Sequence, residues 1–353
     1  MNVHEFLRTI PKAELHVHLT GTVFPKTLQK LSQKHAVKLP PHDRIEDLYD
    51  RSEFKSILPM LKIAVSVMRD PEDFALVIYE TMREAAENGV RYREIFWNPT
   101  DHKDIVGLDY ELVVDSIIGG LREAEEDFGI IGRLLPSINR EESSQLGLEM
   151  VQKVLNNPCD EVIGLGMDYL ETGHPPEKFW KAYKTAGEGG LHLTAHAGEF
   201  GEPWNNIETA LDLLKCERID HGYTIIDNPE LLKRCEDEQI VFTVVPTNSY
   251  YGRTLKSETI SKLHPIAQMA RRGLRIVPNC DDPPLHHTDP GKAYIDMVDV
   301  FGYDLNDVRQ FIINSIDGAF ADESDKKRWR FEWLKEFDSL RSKLDLTTSP
   351  QCN

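Results

Sequence analysis

Short apolar runs recur along the chain at wide and fairly even intervals. They are Ala13–Leu19, Arg91–Asn98, Ile130–Ile138, Val162–Asp168, Leu191–Gly198, Glu217–Gly222, Ile240–Pro246 and Leu274–Asp281. Each has the length of one buried strand, and several are rich in Val and Ile. Between them the apolar residues fall at helical spacing, as in Pro71–Asn88, Asp109–Phe128, Pro176–Gly187, Asn206–Leu214 and Ile260–Arg272. Gly189–Gly190 and Arg272–Gly273 stand where a helix would stop before a strand. Eight strands alternating with helices predict an α/β protein, a single (β/α)8 TIM barrel. The count of eight favours it over an open doubly wound sheet. Residues 20–90 exceed a simple connection and predict extra helices inserted after the first strand, where they can cover a site. One domain is expected over residues 1–346, with a frayed polar tail at 347–353.

Composition narrows the class. The chain has 353 residues, 40% hydrophobic and 28% charged, enough to bury a large core without cross-links. Its 59 acidic residues against 41 basic give a formal charge of −18, which argues against nucleic acid or an anionic membrane surface as partner. The cysteines Cys159, Cys216, Cys235, Cys280 and Cys352 are odd in number and form no C-x-x-C pair, which points to a reducing compartment. No signal-like segment opens the sequence, and no run of about 18 apolar residues occurs. The expectation is a cytoplasmic protein. Its oligomeric state is open, a homo-oligomer included.

Chemistry gathers at the ends of the runs. In a barrel the C-terminal ends of the strands face the active site. Run one ends in His16-Val17-His18, and strand alternation turns both imidazoles to one side. Run five ends in His196-Ala197-Gly198-Glu199, run six in Asp220-His221-Gly222, and run eight in Asn279-Cys280-Asp281-Asp282-Pro283. Singly each has a bland explanation: a surface or core histidine pair, a turn, a strand exit with a helix cap. Together they would bury polar groups at one end of a core at high cost unless a ligand joined them. His16, His18, His196 and Asp281 therefore predict one divalent ion, zinc by preference, with another small dication also fitting. Glu199 and His221 are then placed to move protons. His4, His35, His42, His102 and His264 are expected at the surface or in loops. His286-His287 could line the rim, and Cys280 reads as packing.

The segments PKAELHVHLTGT (11–22), TAHAGE (194–199), ERIDHG (217–222) and NCDDP (279–283) resemble the adenosine deaminase family of metal-dependent amidohydrolases over nearly the whole chain. EIFWNP (94–99) and ETGHPPEKF (171–179) are similar to its adenine deaminase-like branch. The resemblance implies zinc on His16, His18, His196 and Asp281, with Glu199 donating a proton to purine N1. It implies that His221 assists the activated water and that Asp282 contacts N7. The implied reaction is hydrolytic attack at C6 of adenine or a related 6-aminopurine, with loss of ammonia. The chain departs from the family in three places, one of them Pro246-Thr247-Asn248-Ser249 after the seventh run, which is close to the family's pattern but permuted. Thr20 stands where relatives carry Asp or Glu, and Met167-Asp168-Tyr169-Leu170-Glu171 replaces a segment of small residues near N3 and N9. Thr20, Asp168 and Tyr169 are thus candidate substrate-binding residues. They leave adenosine, an N6-substituted adenine or a nucleotide as alternative substrates, and a non-purine amidohydrolase or a silent binding protein as remoter ones.

Overall fold

A computed structural model describes residues 1–50, 54–247 and 264–344. Eight parallel strands follow one another in the order in which they occur in the chain: β1 Lys12–His18, β2 Val90–Trp97, β3 Ile131–Asn139, β4 Gly164–Asp168, β5 His192–Ala197, β6 Arg218–His221, β7 Val241–Val244 and β8 Arg275–Pro278. Each predicted run contains or overlaps one of them, and the fold is the expected α/β barrel. Closure between β8 and β1 uses two backbone bonds, His18 N–H to the Asp281 carbonyl (3.0 Å) and Asp281 N–H to the His16 carbonyl (3.1 Å). Two candidate ligands and a third thus share the seam of the barrel.

Among the described residues the helices are α1 Val3–Thr9, α2 Pro25–Lys34, α3 Phe54–Val67, α4 Pro71–Glu87, α5 Pro99–Val106, α6 Tyr110–Phe128, α7 Ser144–Asn156, α8 Trp180–Glu188, α9 Asn205–Asp212, α10 Pro229–Asp237, α11 Ile266–Met269, α12 Pro290–Asp299, α13 Leu305–Gly318 and α14 Glu323–Arg341. Their boundaries follow local chemistry. The Asp109 carboxylate accepts the N–H of Tyr110 at the start of α6, and Gly129 ends that helix at φ +68°. Between β1 and β2 lie a 3-10 turn at Thr20–Thr22, then α2, a second 3-10 turn at Ile45–Tyr49, α3 and α4. This is the expected insertion. No helix among the described residues is long and apolar enough to cross a membrane. The start of the Ile260–Arg272 stretch and the tail at 347–353 lie outside the described residues.

The barrel interior is layered, as such barrels are. Low in it, Arg218 donates to Glu94 Oε2 at 2.7 Å and to the Gly318 carbonyl at 2.9 Å. One level up, Asp220 accepts from Thr194 Oγ1 of β5 (2.9 Å) and Thr243 Oγ1 of β7 (2.8 Å). Above that layer sit the histidines.

Candidate metal centre and active site

Four strands break sharply as they reach the mouth. Tyr169 after β4 has φ +70°, Gly198 after β5 +73°, His221 ending β6 +67° and Asp281 after β8 +63°. Three of these are not glycine. Such left-handed residues cost about 1–3 kcal/mol and persist only where the surroundings impose them. Here the turns bring Tyr169 and Asp281 into the wall of the mouth and His221 against Glu199.

The candidate ligands converge. One ligand atom from each of His16, His18, His196 and Asp281 lies within 4.8 Å of all the others. His18 Nε2 is 3.2 Å from His196 Nε2 and 3.1 Å from Asp281 Oδ1. His16 Nε2 is 3.5 Å from the same carboxylate oxygen. Their partners assign the tautomers. Thr243 gives its only hydroxyl proton to Asp220, so it accepts from His16 Nδ1–H at 2.9 Å. His196 Nδ1 faces Asp220 Oδ2 at 3.5 Å, and His18 Nδ1 faces Asp168 Oδ2 at 3.3 Å. With every Nδ1 turned to an acceptor, three Nε2 lone pairs and a carboxylate oxygen point at one place. His16 Nε2 is buried there without a hydrogen-bond partner. Lone pairs facing one another at 3.2 Å repel unless a cation lies between them, so the residues fit a dication with a nitrogen-rich donor set of the zinc type.

The electrostatics agree. Burial opposes a charge on His18, but the hydrogen bonds of Asp168 and Asp281 prevail and raise its proton affinity well above the usual range. Burial, then the adjacent His16, lowers His196, and the same causes hold His221 well below an ordinary imidazole. Asp281 stays far below the ordinary carboxylate range despite burial, held by His16 and His18, whereas burial and then Asp281 push Asp282 up to about 6.

A cavity opens over this cluster, lined by His18, Thr20, Leu61, Asn98, Asp168, Tyr169, His196, Glu199, Asp281 and Asp282. Leu61 comes from α3, so the insertion does cover the mouth. Glu199 Oε2 lies 3.5 Å from His221 Nε2, and His221 Nδ1 is 3.2 Å from Tyr223 Oη. Asp282 packs against Gly21, where an added Cβ would stand 1.7 Å from its Oδ1. Eight of the predicted site residues line this cavity, whereas His16 and His221 are fully buried beside it. Asp168, however, accepts from Asn98 Nδ2 at 2.7 Å besides facing His18, and the Tyr169 hydroxyl donates to Asp101. Both side chains therefore have protein partners already.

Sequence reading passed over Asn98, Thr243 and Leu61. Asn98 was visible at the end of its strand run, whereas Thr243 and Leu61 carry no motif. His102 is a correction, for it is buried within α5, while His264 lies in a bend as expected but is buried too. Trp97 Nε1–H donates to His102 Nδ1 at 3.2 Å, and His264 packs edge-on to Tyr223. His286 lies at the rim as one reading allowed, its Nε2 3.6 Å from Asp281 Oδ2.

Comparison with known proteins adds a name to this geometry. The chain is 33% identical over 340 residues to an adenine deaminase of Cupriavidus taiwanensis, covering 96% of this chain and 94% of that one. A zinc-bound amidohydrolase from Burkholderia ambifaria superposes with a TM-score of 0.92 at 44% identity, over 96% of this chain and 93% of that one. An adenine deaminase from Arthrobacter aurescens gives 0.87 at 30% identity, over 94% of this chain and 100% of that one. The family model described as adenosine deaminase matches residues 11–333, and the chain belongs to that family.

Proposed function

We propose that the protein hydrolytically deaminates adenine, releasing ammonia and the 6-oxopurine, with one zinc ion held by His16, His18, His196 and Asp281. The observation that carries this is the convergence of three imidazole lone pairs and the Asp281 carboxylate beneath a cavity that also holds Glu199 and Asp282. A bound zinc ion would lower the pKa of a water toward about 7 and so supply a nucleophile at neutral pH. The chain's own groups do the rest. Asp282 and Glu199 are acidic groups on the wall of one cavity, suited to bonding N7 and N1 of a flat purine and fixing C6 over the cluster. Glu199 gives N1 a proton, which makes C6 electrophilic. His221, 3.5 Å from Glu199, takes the water's proton and orients the attack.

A free base suits the cavity better than a nucleotide. Its described lining contains the carboxylates Asp168, Glu199, Asp281 and Asp282 and no Lys or Arg. A phosphate would enter against that charge. Thr20, a neutral hydroxyl, supports a second reading in which an N6-substituted adenine is accepted.

The test is ammonia release from adenine, adenosine, N6-methyladenine and AMP by zinc-replete protein, as kcat/KM for each. Adenine should lead and AMP should trail. Glu199→Gln should reduce turnover of the best substrate by about 10²-fold or more. Unchanged turnover in that variant, or no ammonia from any purine, refutes the assignment.

A further inference from the structure

We infer that Glu171 is a positioning residue that acts through Glu199, by clamping the backbone turn on which Glu199 is carried. The inference rests on the proton-donor role proposed for Glu199. Glu171 is 1% exposed and lies just past β4, in a loop that the left-handed Tyr169 turns across the barrel mouth. Its carboxylate accepts three hydrogen bonds. Oε1 takes the Gly198 N–H at 2.8 Å and Asn206 Nδ2 at 2.8 Å, and Oε2 takes the Glu199 N–H at 3.0 Å. Two consecutive amides at the exit of β5 are therefore held by one side chain. Such bonds to a charged acceptor are roughly twice as strong as neutral ones.

A residue just past β3 ties the same loop to the end of β5. Arg140, fully buried, donates through Nη1 to the His196 carbonyl at 2.8 Å and through Nε to the His174 carbonyl at 2.9 Å. His174 N–H in turn donates to the Glu171 carbonyl at 2.9 Å. An arginine and a glutamate tied to one loop thus fix His196, Gly198 and Glu199 in sequence. The turn needs that hold. Gly198 sits at φ +73°, and Thr224 Oγ1 stands 2.5 Å from where a Cβ would be. A rotated peptide at Gly198–Glu199 would swing the Glu199 carboxyl away from His221 and the cavity. Glu171 touches no substrate position, so its effect reaches catalysis only through this turn.

Glu171→Gln keeps the size but offers one acceptor oxygen and turns an amide N–H toward a backbone donor. In the zinc-loaded enzyme, kcat should fall by about 10²-fold, the loss expected for a misplacement of about 1 Å, with KM within about threefold. Zinc stoichiometry should stay at the parental value, and exchange of the Gly198 and Glu199 amides with deuterium should quicken. Adding Glu171→Gln to Glu199→Gln should cost little more, because residues acting as a unit are not additive. Parental kcat in Glu171→Gln overturns the inference, as does a loss that fully adds to that of Glu199→Gln or that follows loss of zinc. If Glu171→Gln is not recovered folded, Asn206→Ala decides. A fall in kcat of about threefold or more with zinc retained supports the clamp, and parental kcat overturns it. Should Glu199→Gln itself be fully active, the proposed function fails, and this inference with it. Should Glu199→Gln be inactive and Glu171→Gln normal, the clamp alone is wrong.

Discussion

Asp220 illustrates what single residues decide. It binds no substrate, yet it directs two imidazoles, His196 by facing Nδ1 and His16 through the Thr243 hydroxyl. Burial should raise its carboxyl, but His196 and then His16 hold it well below the ordinary range. Asp220→Asn would put an amide N–H against one of its donors and loosen the lone-pair geometry. We expect zinc affinity to fall about 10- to 100-fold, measured by competition with a chromophoric chelator, and an unchanged affinity would show that Asp220 does not orient the ligands. His102 makes a different point. The sequence offered no reason to bury it, because a lone histidine between polar neighbours reads as surface. The Trp97 indole partner exists only in the fold. Burial lowers His102 to about 4. Between about pH 6.5 and 4 the unfolded chain binds a proton there that the folded chain refuses, so stability rises with pH across that window and is lost as pH falls. The cost by pH 4 is on the order of 3 kcal/mol. The urea midpoint of the parent should therefore drop more between pH 7 and pH 5 than that of His102→Gln, which keeps an acceptor for Trp97. Equal drops would mean that His102 is protonated in the fold.

Elements were legible where their own residues specify them. Apolar runs found all eight strands, and an aspartate cap and a left-handed glycine bounded α6. The strand exits were not legible as turns. His221, Asp281 and Tyr169 adopt left-handed backbone without being glycine; Asp and His enter that region more readily than most residues but still rarely, so the sequence does not mark these positions, and tertiary packing supplies the energy. The 3-10 turn Thr20–Thr22 was equally hidden, although its middle residue is a glycine. Gly21 is required by contact, since a methyl there would lie 1.7 Å from Asp282 Oδ1. The turn after β1 and the exit of β8 are therefore fitted to each other, and the fit sets where Asp282 presents its carboxyl. Gly21→Ala should push Asp282 off its proposed purine contact and lower kcat/KM by about 10²-fold while the protein keeps its zinc. Parental kinetics in Gly21→Ala would mean that the turn yields freely and does not position Asp282.

At the scale of the whole molecule, the candidate metal centre and the closure of the barrel are one structure. His16 and His18 belong to β1, Asp281 follows β8, and the backbone bonds that join these strands run between those same residues. Sequence spacing revealed the ligand set but not this coincidence, because closure depends on two hydrogen bonds between segments about 260 positions apart in the chain. The coincidence has a thermodynamic consequence. Without a cation, the lone pairs of His16, His18 and His196 and the Asp281 carboxylate repel one another or must take up protons at the seam. An ion that binds only the folded chain adds RT ln(1 + [L]/Kd), about 4 kcal/mol at a thousandfold excess over Kd. For a chain of this size that corresponds to a rise in Tm of about 5 °C. Stripping the protein with dipicolinate should therefore lower Tm by about that much, and stoichiometric zinc should restore it together with turnover. The loss should also appear as faster amide exchange in β1 and β8 before the distant β3, because the seam is where the cation acts. If Tm is indifferent to chelation while turnover is lost, the ion serves chemistry alone and the seam closes without it.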